Sequence, residues 1–185
     1  MTVSAQVRCA WATSAPDYVA YHDQEWGRPL RGDTALFERI SLEAFQSGLS
    51  WITILRKREA FRSAFAGFDP ATVAAFDGTD VARLLADAGI VRNRAKIEAT
   101  IANARATLDL DGGLTDLLWS FAPERQPVPA TMGDVPATTP ESVAMAKALK
   151  REGFRFVGPT TAYALMQATG TVNDHVADCW VRDLM

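Results

Sequence analysis

Every cysteine and histidine of this 185-residue chain lies in one of two pairs near its ends, Cys9 with His22 and His175 with Cys179. If the four share one ion, the fold has to bring its first and last segments together, which few topologies do. Two cysteines and two histidines make a closed tetrahedral set. Such a set suits a structural Zn2+ fastening the N-terminus to the C-terminus better than a catalytic zinc, which keeps an open position. His175 and Cys179 are four residues apart and would share one face of a helix, while Cys9 and His22 would meet across a short loop. A buried thiol beside ordinary histidines is the alternative, and the distance between the pairs leaves it open at this point.

The length suits one compact domain or two small lobes, and 48% hydrophobic content is enough to build a core. The opening MTVSAQVRCAWA has no continuous apolar segment of the export type, and no later run reaches bilayer length, so a cytoplasmic location away from membranes is expected. Two cysteines then argue against a disulfide framework. A net charge of −3 argues against indiscriminate binding to nucleic acid, because such affinity comes mostly from lysine and arginine neutralising phosphates. Basic residues are nevertheless clustered: Arg56, Lys57, Arg58 and Arg62; Arg92, Arg94 and Lys96; and Lys147, Lys150, Arg151 and Arg155. Each cluster taken singly reads as a solvated helix face.

Helical periodicity runs from end to end, and the chain is read as all-α with roughly eight helices. Asp33 is expected to cap a helix through Phe37, Ile40, Leu42 and Phe45 that ends near Gly48, and a second helix covers Ile52 to Phe65. Asp69-Pro70 opens a short helix, and Thr79 caps another that Gly89 stops. Residues 92–110 read as a long helix with Ile97, Ile101, Ala104 and Leu108 inward, followed by one from Leu114 to Phe121. Thr139-Pro140-Glu141 starts a helix through Val143, Ala146 and Leu149. Residues 123–140 hold five of the nine prolines and read as an interlobe loop within a single domain, 1–185. No exposed heptad suggests assembly, so a monomer is expected.

Two constellations bear on chemistry. In the turn FVGPTTA, Gly158 can take a positive φ that lets backbone approach a ligand closely, and Pro159 fits the first turn of a helix, where its missing N–H costs nothing. The free amides at that helix start would suit a nucleic-acid phosphate, although plain helix packing also explains such a turn. The third basic cluster directly precedes it. The second constellation comprises Trp11, Tyr18, Tyr21, Trp26 and Trp51, five of the eight Trp and Tyr residues within a 41-residue window, with Glu43 among them. Aromatic rings are usually core, but together these could stack on a base, and their electron-rich faces attract a cationic one. Glu43 falls in the apolar run SLEAFQSGLSW, where a carboxylate needs a partner or a ligand.

Several blocks together resemble the DNA-3-methyladenine glycosylase I family of the helix-hairpin-helix DNA glycosylase superfamily. They are RCAW (8–11), YVAYHDQEWGRP (18–29), LEAFQSGLSWITILRKRE (42–59), DAGIVRNRAKI (87–97), LWSF (118–121) and GFRFVGPTTAYALMQATGTVNDHVADC (153–179), and they span nearly the whole chain. The resemblance implies two helical lobes joined by a structural zinc on Cys9, His22, His175 and Cys179. It implies that Glu43 reads and helps release the base while Tyr21 and Trp51 stack on it, with Trp11, Tyr18 and Trp26 around them. Leu49 would fill the gap left in the duplex, and the hairpin at Val157, Gly158, Thr160 and Thr161 would grip the backbone. The partner would be double-stranded DNA containing 3-methyladenine.

Two departures from the wider superfamily shape the expected reaction. Where bifunctional relatives carry a Schiff-base lysine, in a VGRKTA-like hairpin, this chain has Thr160, so strand cleavage by a lyase is not expected. Where many members place a catalytic aspartate, in a VDTHV-like segment, it has Asn173; the adjacent Asp174 would point elsewhere. Neither residue is needed if the substrate is N3-methyladenine, already cationic and released as a neutral base. A non-catalytic reader of damaged DNA is the chief rival. A zinc hydrolase is disfavoured by the closed ligand set and by the lack of an HExxH or deaminase-type motif.

Overall fold

In a computed structural model, which describes residues 6–185, the chain forms nine α-helices and short 3-10 turns, with no strand among the described residues. The first five residues of the opening read for an export segment lie outside that range. The helices are α1 (Pro16–Gln24), α2 (Asp33–Gln46), α3 (Trp51–Ala64), α4 (Pro70–Ala74), α5 (Gly78–Ala86), α6 (Arg94–Asp109), α7 (Gly113–Trp119), α8 (Pro140–Arg151) and α9 (Pro159–Ala168). None is long and apolar enough to cross a membrane.

Local chemistry sets most helix starts. Asp69 accepts from the Thr72 amide at 2.8 Å with Pro70 in the first turn of α4, and Asn93 caps α6 through the Lys96 amide at 3.1 Å. Thr139 and Ser142 form a reciprocal capping box on α8, whose Pro140 sits in the first turn. The cap of α5 is Asp77, in a box with Asp80, and not Thr79, because Asp77 already satisfies the Thr79 and Asp80 amides. Asp33 does not cap its own helix either. Its carboxylate accepts from the Leu114 and Thr115 amides and the Thr115 hydroxyl at 2.7–3.1 Å, so it caps α7 from a distance.

Helix α2 is the axis of the main core. It touches α3, α6, α7 and α9, and Leu36, Phe37 and Arg39–Phe45 are all buried. Its own Phe37 and Phe45 pack against fully buried Phe61, Phe65 and Phe68, in a core shared with Ile54, Ile97 and Leu114, each side chain contributing about 1.5–3 kcal/mol. On α6, Ile97, Ile101 and Ala104 face inward as expected, but Leu108 is 55% exposed near the helix end.

A second buried cluster joins the two ends of the chain: Cys9, Tyr21, Trp26, Ala168, Val176, Cys179 and Val181. Two glycines permit that closure. Gly170, at φ +70°, lies so close to Gly27 that an added Cβ would stand 2.5 Å from the Gly27 carbonyl oxygen. Beside them the Leu30 amide donates to the Thr169 carbonyl at 2.9 Å.

Candidate functional site: an aromatic cavity beside a Cys2His2 cluster

The ends of the chain meet at the four soft ligands. The ligand atoms of Cys9, His22, His175 and Cys179 all lie within 4.8 Å of one another, and all four residues are buried. Sulfur-to-nitrogen distances are 3.7 Å (Cys9–His175), 3.4 Å (Cys179–His22) and 3.5 Å (Cys179–His175). A tetrahedral zinc, with bonds of about 2.3 Å to sulfur and 2.0 Å to nitrogen, separates its S and N ligands by about 3.5 Å, so the set fits such an ion. The outer nitrogens are already engaged. His175 Nε2 faces the Trp26 carbonyl at 3.0 Å, and His22 Nδ1 faces Asp23 at 2.8 Å, which presents the other ring nitrogen of each to the cluster. Asp23 is held by Arg8 through Nε and Nη2, and although burial alone would raise its carboxyl, the Arg8 and His22 hydrogen bonds keep it below the usual range. Burial holds His175 to about 4, in the neutral form that ligates. Burial and the neighbouring Cys179 push the Cys9 thiol up to about 12, and a dication would reverse that effect.

The route to this cluster differs from the expected one. His175 and Cys179 lie on a segment without helical structure, and their approach comes from a folded-back turn; Cys9 reaches His22 through a 3-10 turn and α1. The physical reason is Gly170, which ends α9 and turns the chain back over Gly27.

Next to the cluster opens a cavity of about 320 Å³ lined by Trp11, Tyr18, Tyr21, Trp26, Glu43 and Trp51, the six residues singled out in the sequence. Trp11 is the shared wall. Its ring lies 5.5 Å from Tyr18, 5.1 Å from Trp26 and 5.4 Å from His22, in edge-to-face arrangements that fix all four rings. Tyr21 and Trp51 are tilted toward each other with centroids 5.5 Å apart. The Tyr18 hydroxyl accepts the Ile52 amide at 2.9 Å, satisfying a first-turn donor of α3 and tying that helix start to α1.

Glu43 comes from the buried face of α2 and is 5% exposed. Burial pushes its carboxyl up to about 7, and Arg39, one turn earlier on the same helix, only partly opposes this. Arg39 was not singled out in the sequence. It donates to the Tyr21 hydroxyl at 2.9 Å, and its guanidinium lies over the Tyr21 and Trp51 rings at 5.4 and 5.6 Å. The cavity therefore presents aromatic faces around one carboxylate that is only half ionised near neutrality, an arrangement that gains most from a flat cationic ligand. Ser14, Gln46, Met132, Ala164 and Gln167 complete the walls, and sequence reasoning missed all five.

The remaining predicted residues lie on two exposed turns. Leu49, 42% exposed, sits between α2 and α3, where its amide donates to the carbonyl of the cavity residue Gln46 at 2.6 Å. Buried Lys96 braces this turn by donating to the Phe45 and Ser47 carbonyls at 2.9 and 2.6 Å. Val157, Gly158, Thr160 and Thr161 fall in the turn between α8 and α9 and the first turn of α9. Gly158 does not take a positive φ; it is extended, at φ −84° and ψ 175°, as a residue before proline tends to be. The positive-φ residues of this turn are Gly153, at φ +90°, and Phe156, at φ +58° and 45% exposed. Buried Asn103 holds that turn by bonding both backbone groups of Arg155, at 3.1 and 2.7 Å.

The basic clusters divide. Arg56, Arg58 and Arg62 are paired with Asp17, Glu25, Glu38 and Glu59, while Lys57 caps the Ala88 and Gly89 carbonyls. Arg94 pairs with Glu98 and Lys96 is buried. Lys147, Lys150, Arg151 and Arg155 have no ion pair among the described residues and sit on α8 and its hairpin, leaving a basic surface beside the α9 N-terminus.

The family model described as methyladenine glycosylase matches residues 11–183. The chain is 50% identical over 177 residues to DNA-3-methyladenine glycosylase 1 of Escherichia coli (strain K12), a match covering 93% of this chain and 95% of that protein. A crystal structure of 3-methyladenine DNA glycosylase I shares its fold at a TM-score of 0.90 and 48% identity, over 94% of this chain and 98% of the other. A tyrosine-to-phenylalanine variant of 3-methyladenine DNA glycosylase I, solved in complex with 3-methyladenine, matches at a TM-score of 0.89 and 34% identity, over 95% and 97% of the two chains. By sequence and by fold, the chain belongs to the methyladenine glycosylase family, hydrolases that act on N-glycosyl bonds.

Proposed function

We propose that this protein removes N3-methyladenine from alkylated double-stranded DNA, acting as a monofunctional glycosylase. The observation that carries the reading is Glu43: a buried carboxyl held near 7 among aromatic rings, in a cavity sized for one base. The damaged base is a flat cation. It would leave the stack, enter the cavity and stack against Tyr21 and Trp51, and draw Glu43 into its ionised form through a charge-assisted contact. Leu49 would fill the space left behind. The unpaired basic residues of α8 and the hairpin amides around Thr160 and Thr161 would hold phosphates.

Cleavage needs little from the protein. As the glycosidic bond breaks, its electron pair passes to the base and cancels the positive charge; the oxygen of water bonds the sugar carbon, and its proton goes to solvent. Glu43 stabilises the charge and orients the base. Thr160 has no amine with which to form a Schiff base, and Asn173 is turned to the C-terminal segment, where it donates to the Arg182 carbonyl at 3.2 Å. Both features support hydrolysis without strand cleavage.

We infer that Cys9, His22, His175 and Cys179 hold a structural zinc. With four protein ligands the ion would fasten the chain ends behind Trp11 and Trp26 and supply no chemistry to the base. Two buried free cysteines suit the cytoplasm. The test is chromatography of methylated duplex DNA treated with the protein. Free 3-methyladenine without nicking is the expected result; a folded protein that binds this DNA and releases no base would instead be a damage reader.

A further inference from the structure

Asp174, which has no part in the cleavage step, occupies a different position of consequence. It is 3% exposed, in the irregular segment after α9, and its two oxygens accept three hydrogen bonds. Oδ2 accepts from the Tyr163 hydroxyl at 2.6 Å and from Gln167 Nε2 at 2.7 Å, both on α9. Oδ1 accepts from Gln126 Nε2 at 2.5 Å, and the Gln126 side-chain carbonyl oxygen accepts the Asn173 amide at 2.8 Å. One carboxylate thus ties the proline-rich loop to α9. That loop also delivers Met132 to the aromatic cavity, and α9 delivers Gln167.

The hydrogen-bonding chemistry fixes which way Gln167 faces. The Asp174 Oδ2 that accepts the Tyr163 hydroxyl also accepts from Gln167, so the amide turns its NH2 toward Asp174 and its carbonyl oxygen away. Among the described residues nothing donates to that Oε1, and it is not sealed from solvent, on a side chain that lines the cavity. The cavity then carries two acceptors on different helices, Glu43 from α2 and Gln167 from α9.

We propose that Gln167 is a specificity-determining residue that offers its Oε1 to the exocyclic amine of the flipped purine, and that Asp174 is the positioning residue that keeps this carbonyl turned inward. Two acceptors suit a 6-amino purine, which has N–H donors on that edge. A 6-oxo purine would bring its own oxygen against Gln167 and leave both acceptors unpaired, the kind of mismatch by which buried polar groups discriminate. The selection is therefore for methylated adenine over methylated guanine. This inference deepens the proposed function and rests on it.

The experiment measures initial rates of 3-methyladenine and 3-methylguanine release from the same methylated duplex DNA, with melting temperature and zinc content recorded for each protein. Gln167→Leu is expected to cut 3-methyladenine release by about 10- to 100-fold and to affect 3-methylguanine less, so that the selectivity ratio falls. Asp174→Asn replaces a pure acceptor by a group that can donate to Gln167 and free its amide to turn. It is expected to lower the ratio in the same direction without removing any cavity wall. Gln167→Leu, a half-buried change, decides the matter if Asp174→Asn does not fold. A folded Gln167→Leu protein with the wild-type ratio overturns the assignment. A wild type that releases neither base overturns the proposed function, and the inference with it.

Discussion

Replacing Glu43 by glutamine should make the protein more stable at alkaline pH while disabling it, and the size of the effect follows from the carboxyl's surroundings. Its pKa rises from 4.5 to about 7 on folding, because burial disfavours the ionised form. Between those values the folded chain binds the proton that the unfolded chain has lost, so stability falls as pH rises through this window. The penalty is fully present above pH 7 and vanishes below 4.5. At 1.36 kcal/mol per pH unit, it grows by about 2–3 kcal/mol between pH 5 and pH 8. Glutamine does not titrate, and every other group is common to both proteins. The stability gap between Glu43→Gln and wild type should therefore shift in the variant's favour by about 2–3 kcal/mol across that range. For a chain of this size that is roughly 5–10 °C in melting temperature. Thermal melts of both proteins from pH 5 to pH 8, without ligand, measure it. A gap that stays flat with pH would refute the idea that Glu43 is buried and only partly compensated by Arg39, and with it the argument that a cationic base draws it into the ionised form.

Other parts of the structure give further expectations. Removing the metal by chelation, or replacing Cys179 by serine, should lower the melting temperature by about 10 °C or more, since structural zinc contributes on the order of 10 kcal/mol in small zinc folds. A stoichiometric zinc assay beside the melts checks this. Lys96→Met leaves the Phe45 and Ser47 carbonyls unpaired, at a cost of about 1–3 kcal/mol, and loosens the Leu49 turn. Binding of free 3-methyladenine should survive in that variant while affinity for duplex DNA falls. Alanine at Lys150 or Arg151 should reduce the slope of log affinity against log salt by about 1 for each phosphate that is no longer neutralised, equally for damaged and undamaged duplex.

What could be read in the sequence was mostly what depends on counting and on local chemistry. The metal cluster was legible because no other soft ligands exist in the chain, and the helix starts at Pro70, Pro140 and Pro159 because proline and its capping neighbour act within one turn. The aromatic cavity was legible as a crowding of rings around one misplaced carboxylate. The failures involve groups whose partners are distant in the chain. Asp33 looked like the cap of its own helix but serves Thr115, 82 residues away. Arg39 drew no attention within its helix and is the buried neighbour of Tyr21. Gln167 and Met132 gave no signal, since an amide or a thioether on a helix or loop joins a cavity only through tertiary packing. Gly158 was read as free to take a positive φ because glycine tolerates it; the hairpin instead places Gly153 and Phe156 there, and Asn103 from α6 holds the backbone of the preceding Arg155.

The most direct test of the account is single-turnover release of 3-methyladenine from methylated duplex DNA at pH 7, wild type beside Glu43→Gln, both zinc-loaded and both shown to be folded. The account predicts rapid release without nicking by the wild type, and a loss of about 100-fold or more in the variant, as when a preorganised electrostatic group is removed. Release by Glu43→Gln at the wild-type rate would contradict it, and would mean that the base is recognised and released without the Glu43 carboxylate.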